Sequence, residues 1–482
     1  MRPIQFVALA LALAPTLACS AEDDTPRRQV VLVSLDTLRA DHMSAYGYEV
    51  PTTPNLEAIA KEDAVLFERA FSQASWTLPS QTSMFTSMYP NVHQVISPAA
   101  RLSPDVMTLP KILNAAGLET AAFTDGGFLS REYGFSEGFQ DYWDADEETF
   151  DPSLRGLDGK FERIEDWLSD HRDRDFFLFL HTYEIHAPYE SDEPFYSRHV
   201  QEGAPESGQD AAIEYLADLT ECQYFKLERF SSLDQVVGAY DGGIAWVDDT
   251  VGRLVAKMKR LGIWDDALVV FTSDHGESLM DRDVYAGHGA FLHDGEVHIP
   301  LIVKYPGGQY AGRRVDDIVE SIDIMPTILS AMRIPTPPDI LVQGHDLTAI
   351  LAGEPDPTPY AFSSYASVHK TAIRSKDWTY LGPSQEDNLQ RFVREHLRPV
   401  TKDPEAILER LIRVGEFGAT TGSRTLALDE DAADQEALQT LRAALKEWTG
   451  AQKLLRKMVE EPESSGDLSP EVMEQLRRLG YL

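Results

Sequence analysis

Two acid-bearing strand ends carry the chemistry of this chain. Asp274-His275 follows the apolar run Ala267-Leu268-Val269-Val270-Phe271 and precedes Gly276-Glu277. A carboxylate beside an imidazole is a good donor pair for a divalent metal. Taken alone, the dipeptide reads better as a helix-capping Asp with an exposed His. A second run, Gln29-Val30-Val31-Leu32-Val33-Ser34-Leu35, ends in Asp36-Thr37-Leu38-Arg39-Ala40-Asp41-His42. Two strands that each deliver an acid look like two sides of one metal site. Between them, Ser75-Trp76-Thr77-Leu78-Pro79-Ser80 leads into a helix-compatible stretch from Gln81 to Ser87. Pro at an early helix position puts the Thr77 hydroxyl at a positively polarised N-terminus, where an anion would bind. By itself that segment is matched by an ordinary Ser/Thr-capped helix.

Apolar, β-branched runs of this length read as buried parallel strands. Open α/β sheets place ligand sites outside the carboxyl ends of such strands. A third run, Phe176-Phe177-Leu178-Phe179-Leu180, ends in His181-Thr182-Tyr183-Glu184-Ile185-His186-Ala187-Pro188. His181 reads as a polar group at a strand end. Strands alternate with amphipathic helices to about residue 350, the pattern of a doubly wound sheet. One helix is expected from Asp241 to Leu261, its stripe of Ile244, Val247, Val251, Leu254, Val255 and Met258 facing the core. Glu190 to Leu227 is an acidic, irregular insertion close behind His186, a substrate-facing lid or a plain surface excursion.

In order and spacing these segments resemble the sulfatase family of the alkaline phosphatase superfamily. The resemblance rests on Leu35-Asp36-Thr37-Leu38-Arg39-Ala40-Asp41, Thr77-Leu78-Pro79-Ser80-Gln81 and His186-Ala187-Pro188. It continues through Ser273-Asp274-His275-Gly276-Glu277, Gly287-His288-Gly289 and Ile299-Pro300-Leu301-Ile302. It implies an alkaline phosphatase-like mixed α/β sheet flanked by helices, with a smaller C-terminal α+β region. It also implies one divalent metal ion held by Asp36, Thr77, Asp274 and His275, with Thr77, His186 and His288 catalytic. Gly on either side of His288 lets the backbone crowd a ligand, and either imidazole suits general acid work near neutral pH. His293 and His298 are expected to be supporting or structural.

Three positions depart from the family pattern. Thr77 stands where sulfatases make formylglycine from Cys or Ser, Gln81 replaces the motif Arg, and Thr37 replaces the second Asp of the strand-end pair. Elsewhere in the superfamily, nucleotide pyrophosphatases, lipoteichoic acid synthases and phosphoethanolamine transferases use an unmodified Thr as nucleophile. Thr37 makes an all-carboxylate calcium site less expected than manganese or zinc.

The 482-residue chain is 43% hydrophobic, enough to bury a large core. Its 43 basic against 79 acidic residues give a net charge of −36, which argues against nucleic acid or anionic membrane surfaces as partners. Met1-Arg2 and the apolar stretch Phe6 to Ala14 form a segment too short to span a bilayer. It leads to Thr16-Leu17-Ala18-Cys19-Ser20, which looks like a lipoprotein cleavage site, a plain secretory signal being the alternative. The expected organisation is a signal peptide at 1–19, a tether at 20–28, a sulfatase-like catalytic domain at 29–353 and a C-terminal subdomain with a helical tail at 354–482. Val368 to Leu381 is expected to supply edge strands of a second sheet, and Ser469 to cap a last helix. Cys222 is left without an intramolecular disulfide. Membrane contact is expected only through a lipid anchor.

Three functions fit these residues: a phosphoester or phosphodiester hydrolase or phosphotransferase using Thr77, a sulfuric ester hydrolase, and a noncatalytic anion-binding protein. The expected substrate is a sulfated or phosphorylated small molecule, glycan or lipid head group. The retained acids and imidazoles favour an enzyme over the noncatalytic reading, and the signal-like segment an exported one, in the bacterial cell envelope (as a lipoprotein), the periplasm or the extracellular space.

Overall fold

A computed structural model describes residues 27–144, 156–200, 230, 232–279, 286–289, 291–354, 358–365, 370–381, 424–425, 432–459, 463–464, 469–470 and 472–474. The signal segment with Cys19, most of the tether, Cys222 and most of the Glu190 to Leu227 insertion lie outside the described residues.

Eight strands form the central sheet, in the order Arg314–Glu320, Val65–Phe71, His298–Lys304, Leu268–Thr272, Gln29–Leu35, Phe176–Thr182, Glu119–Phe123 and Asp141–Trp143. The sheet is mixed, because His298–Lys304 runs antiparallel to both of its neighbours. The middle strand, Gln29–Leu35, is parallel to Leu268–Thr272 on one side and Phe176–Thr182 on the other. Their carboxyl ends therefore open on the same edge, where the acids and imidazoles follow.

The unbroken apolar runs are explained by burial on both faces. Val31, Val33 and Leu35 pack into one cluster with the helices Pro54–Glu62, Phe161–His171 and Leu233–Leu261. Val30 and Leu32 pack into the opposite cluster with Thr77–Thr86, Leu109–Ala115 and Ile324–Ala331. Truncating one such side chain to Ala costs about 2–5 kcal/mol.

Two helices begin earlier than their sequence patterns suggest. The helix expected from Asp241 starts at Leu233, where the Ser232 side chain caps it by accepting from Gln235 N. Its first turns carry few large aliphatic residues, so the apolar period fades before the helix does. The whole predicted stripe, Ile244 through Met258, is buried. The other helix begins at Thr77 itself, with Trp76 at the N-cap position, and ends at Ser87 in a left-handed conformation.

A smaller four-stranded sheet joins Ala361–Tyr365, Lys370–Arg374, Trp378–Leu381 and Arg424–Thr425. It docks on the loop leading to Thr77. Ser363 Oγ donates to Ser72 O, Ser364 N donates to Gln73 O, and Arg374 pairs with Asp294 at 3.1 Å with both side chains 1% exposed. Near the end of the chain, Val472 N donates to Ser469 Oγ, the expected cap contact. Among the described residues, no helix is long and apolar enough to cross a membrane.

Candidate active site

Asp36 is the first residue beyond its strand, Asp274 the second beyond Leu268–Thr272, and Thr77 the first of its helix. The fold brings all three together, fully buried. Thr77 Oγ1 donates to Asp36 Oδ2 at 3.0 Å and lies 3.4 Å from His275 Nε2. His275 Nε2 is 3.7 Å from Asp36 Oδ1 and 3.6 Å from Asp274 Oδ2. The other ring nitrogen, Nδ1, donates to Gly276 O at 2.9 Å, so Nε2 carries the lone pair that faces the acids.

Tertiary contacts hold these groups in place. Ser80 Oγ donates to Asp274 O, which ties the Thr77–Thr86 helix to the second strand end. Tyr240, on the long helix, donates to Thr37 O at 2.7 Å and accepts from Arg39 N at 3.0 Å. Arg39 Nη1 in turn donates to Glu277 O at 2.9 Å, locking the two strand-end loops together. Gly276 is required where it stands, since a Cβ there would meet Gly295 O at 2.2 Å. Gln81, at the family's Arg position, turns into the core and donates to Ser34 Oγ.

The remaining imidazoles line the same edge. His186 Nδ1 donates to Ala187 O at 2.7 Å, and its ring lies 4.8 Å from that of His288. The His288 ring lies tilted, 4.6 Å from that of His275, and meets Glu277 Oε1 through Nδ1 at 3.0 Å. His293 and His298 are held elsewhere: His293 lies 3.6 Å from Glu296, and His298 Nε2 donates to Glu68 O. His181 was read from the sequence as a strand-end polar group. It instead enters the cluster, its Nε2 3.6 Å from Asp36 Oδ2. The strand register explains this, because His181 pairs with Ser34, two residues before Asp36. Sequence alone does not say that these two strands are neighbours.

Electrostatics separates the two acids. Burial alone would raise Asp36, but the rings of His275, His181 and His186 outweigh it and hold the carboxyl below its usual range. Asp274 is pushed well above the usual range, first by burial and then by Asp36 beside it. Burial lowers His275 to about 4, so it is a neutral ligand near neutral pH.

The residues fit a divalent cation. Asp36, His181 and Asp274 offer donor atoms within 4.8 Å of one another. Among the described residues, no hydrogen-bond partner reaches Asp274 Oδ2 or either ring nitrogen of His181. Buried polar atoms ordinarily have partners, and a cation would satisfy Asp274 Oδ2 and one nitrogen of His181. Carboxyl, imidazole and hydroxyl groups are also donor types that suit a divalent ion.

Comparison with known proteins agrees with this arrangement. The sulfatase family model matches residues 28–334. The chain belongs to the sulfatase family, a family of ester hydrolases that generally use a divalent metal ion. It is 27% identical to an ulvan-active sulfatase of Formosa agariphila, over 75% of each chain. It is 24% identical to an N-acetylglucosamine-6-O-sulfatase of Bacteroides thetaiotaomicron, over 77% of this chain and 80% of that one. The fold matches a phosphonate monoester hydrolase of Agrobacterium radiobacter with a TM-score of 0.62, at 22% identity over 74% of this chain and 88% of the other.

Proposed function

We propose that the protein is a metal-dependent hydrolase of sulfate or phosphate esters with Thr77 as its nucleophile. The observation that carries this is the Thr77 hydroxyl at a helix head, 3.0 Å from Asp36 and 3.4 Å from His275. Asp36, Asp274, His275 and Thr77 would hold the cation, which would lower the hydroxyl pKa and offset charge on the transferred group.

The chain's own residues supply the rest. Thr77 Oγ1 passes its proton to Asp36 Oδ2, which already accepts it, and attacks sulfur or phosphorus, forming a Thr–O–P or Thr–O–S bond as the ester's O–P or O–S bond breaks. The amides of Thr77 and Leu78, at the start of the Thr77–Thr86 helix, would serve the transferred anion. His288, oriented by Glu277, gives a proton to the departing oxygen, and His186 lies within ring contact of it. Water then cleaves the covalent intermediate, leaving one proton on His288, while Asp36 returns its proton to Thr77 Oγ1. A phospho-threonine suits this cycle better than a sulfo-threonine, because Thr77 has no aldehyde hydrate to expel sulfate.

The substrate class is a sulfated or phosphorylated small molecule, glycan or lipid head group. The names of the two bacterial sulfatases support a sulfate ester, and that of the phosphonate monoester hydrolase an ester of phosphorus. The signal-like segment ending at Cys19 supports export and a lipid anchor; Cys19→Ala should abolish lipid attachment, and an anchored variant would refute that part.

Turnover of aryl sulfate, aryl phosphate and aryl phosphodiester panels, with Mn²⁺, Zn²⁺ and Ca²⁺ varied, tests the reading. Thr77→Ala should lower kcat by on the order of 10³ or more, while Thr77→Ser keeps partial activity. Undiminished turnover by Thr77→Ala would mean that water attacks directly.

A further inference from the structure

We propose that His181 is itself a ligand of the cation, through Nε2, and that its nitrogen biases the site toward a borderline transition metal over calcium. The inference rests on the cation reading above and adds a residue that the family motifs do not contain.

Three observations converge on His181. Its side chain is completely buried, yet neither ring nitrogen has a hydrogen-bond partner among the described residues. An imidazole so placed forfeits its solvation unless something else engages it. Next, Nε2 lies 3.6 Å from Asp36 Oδ2, and the donor atoms of His181, Asp36 and Asp274 fall within 4.8 Å of one another. Two ligands of one ion need not touch each other, and separations of this size leave room for the ion between them. Finally, the ring is not free to turn away. Tyr183 packs edge-on against it at 4.7 Å, and the strand register fixes its backbone opposite Ser34.

The position also accounts for Thr37. By resemblance that residue stands where the family has a second acid, and its hydroxyl, buried against the strand end, is a much weaker donor. His181 arrives from the neighbouring strand and restores the ligand count with nitrogen in place of carboxylate oxygen. Calcium and magnesium favour all-oxygen shells, whereas imidazole suits zinc, copper, iron and nickel. With His275 and His181 both bound, the site holds two imidazoles, two carboxylates and the Thr77 hydroxyl. That set is unsuited to calcium.

The test uses the full-length protein stripped of metal. Calorimetric titration with Mn²⁺, Zn²⁺ and Ca²⁺ is compared among wild type, His181→Ala, His181→Asn and Asp274→Ala, with circular dichroism verifying the fold of each. His181→Ala should weaken Zn²⁺ and Mn²⁺ binding by more than the roughly 10- to 100-fold typical of losing an outer-shell partner, with Ca²⁺ binding changed least. Electron spin-echo spectroscopy of a bound Cu²⁺ or vanadyl probe should count two imidazoles in wild type and one in both His181 variants. One imidazole in wild type, or unchanged Zn²⁺ affinity in His181→Ala alongside a large loss in Asp274→Ala, overturns His181 as a ligand and leaves the cation site standing. Unchanged affinity in Asp274→Ala as well would overturn the cation site itself.

Discussion

Glu277 Oε1 sits 3.0 Å from Nδ1 of His288, with the acid fully buried and the ring side chain 7% exposed. The contact fixes the imidazole by its Nδ1–H and reserves Nε2 for chemistry. Burial disfavours either charge alone: it lowers His288 to about 4 and lifts Glu277 to about 7. An ester anion entering the site adds negative charge near His288 and favours its protonated form. Glu277→Gln keeps the shape and removes the charge. It should lower kcat by about 10-fold or more, up to the roughly 10²–10⁴ that a general acid itself contributes. The loss should be larger for a phenyl ester than for a nitrophenyl ester, whose leaving oxygen needs no proton. Equal losses on both would rule out this role.

Metal removal should destabilise the protein as well as inactivate it. Asp36 and Asp274 lie side by side without solvent, and burial together with Asp36 already pushes Asp274 well above its ordinary range. An ion that binds only the folded state adds roughly 2.7 kcal/mol at 100 times its Kd. Chelation should therefore lower the wild-type unfolding midpoint. Asp274→Asn relieves the like-charge contact, so the chelated variant should melt no lower than the chelated wild type at pH 8. A midpoint indifferent to chelator in the wild type would contradict the ion's structural role.

The sheet and most of this site were legible because each acid follows an unmistakable apolar run. Asp36, Thr77, Asp274, His275, His186 and His288 all appear at one edge of the sheet, as their motif order implied. What escaped notice depends on which strands are neighbours. His181 belongs to the site only because Phe176–Thr182 pairs with Gln29–Leu35, across 147 residues of chain at Gln29 and Phe176. Glu277 looked like a motif letter until the turn at Gly287 and Gly289 folded His288 back over it. Tyr240 was hidden because it lies one residue before the point where the helix pattern became regular.

Tyr240 gives a stability test remote from the metal. Its hydroxyl is completely buried and serves two backbone groups of the Asp36 loop, Thr37 O and Arg39 N. Tyr240→Phe leaves the Arg39 amide without its acceptor, a loss worth about 1–3 kcal/mol. The unfolding free energy should fall by that amount, and kcat should drop with it because the same loop carries Asp36. Unchanged stability in denaturant titration would show that the loop is held by other contacts.

Glu184 makes stability depend on pH. Its carboxyl lies against the loop of Gly156, whose φ of +71° and missing Cβ let it approach; a Cβ there would stand 2.1 Å from Oε1. Burial, and then the Asp125 carboxylate, raise Glu184 to about 7, against donors from Leu157 N and Thr182 Oγ1 that favour the charged form. Because the folded pKa exceeds the ordinary value of 4.5, folding favours the protonated acid. Its stabilising contribution is therefore complete below pH 4.5 and is lost as pH climbs through about 7. Glu184→Gln keeps an uncharged side chain of the same shape at every pH. Measured across pH 5 to 8.5, the wild type should lose stability relative to this variant as pH rises, most steeply below pH 7. A difference that stays flat, or one that grows in the wild type's favour, would show that Glu184 is ionised in the folded protein throughout.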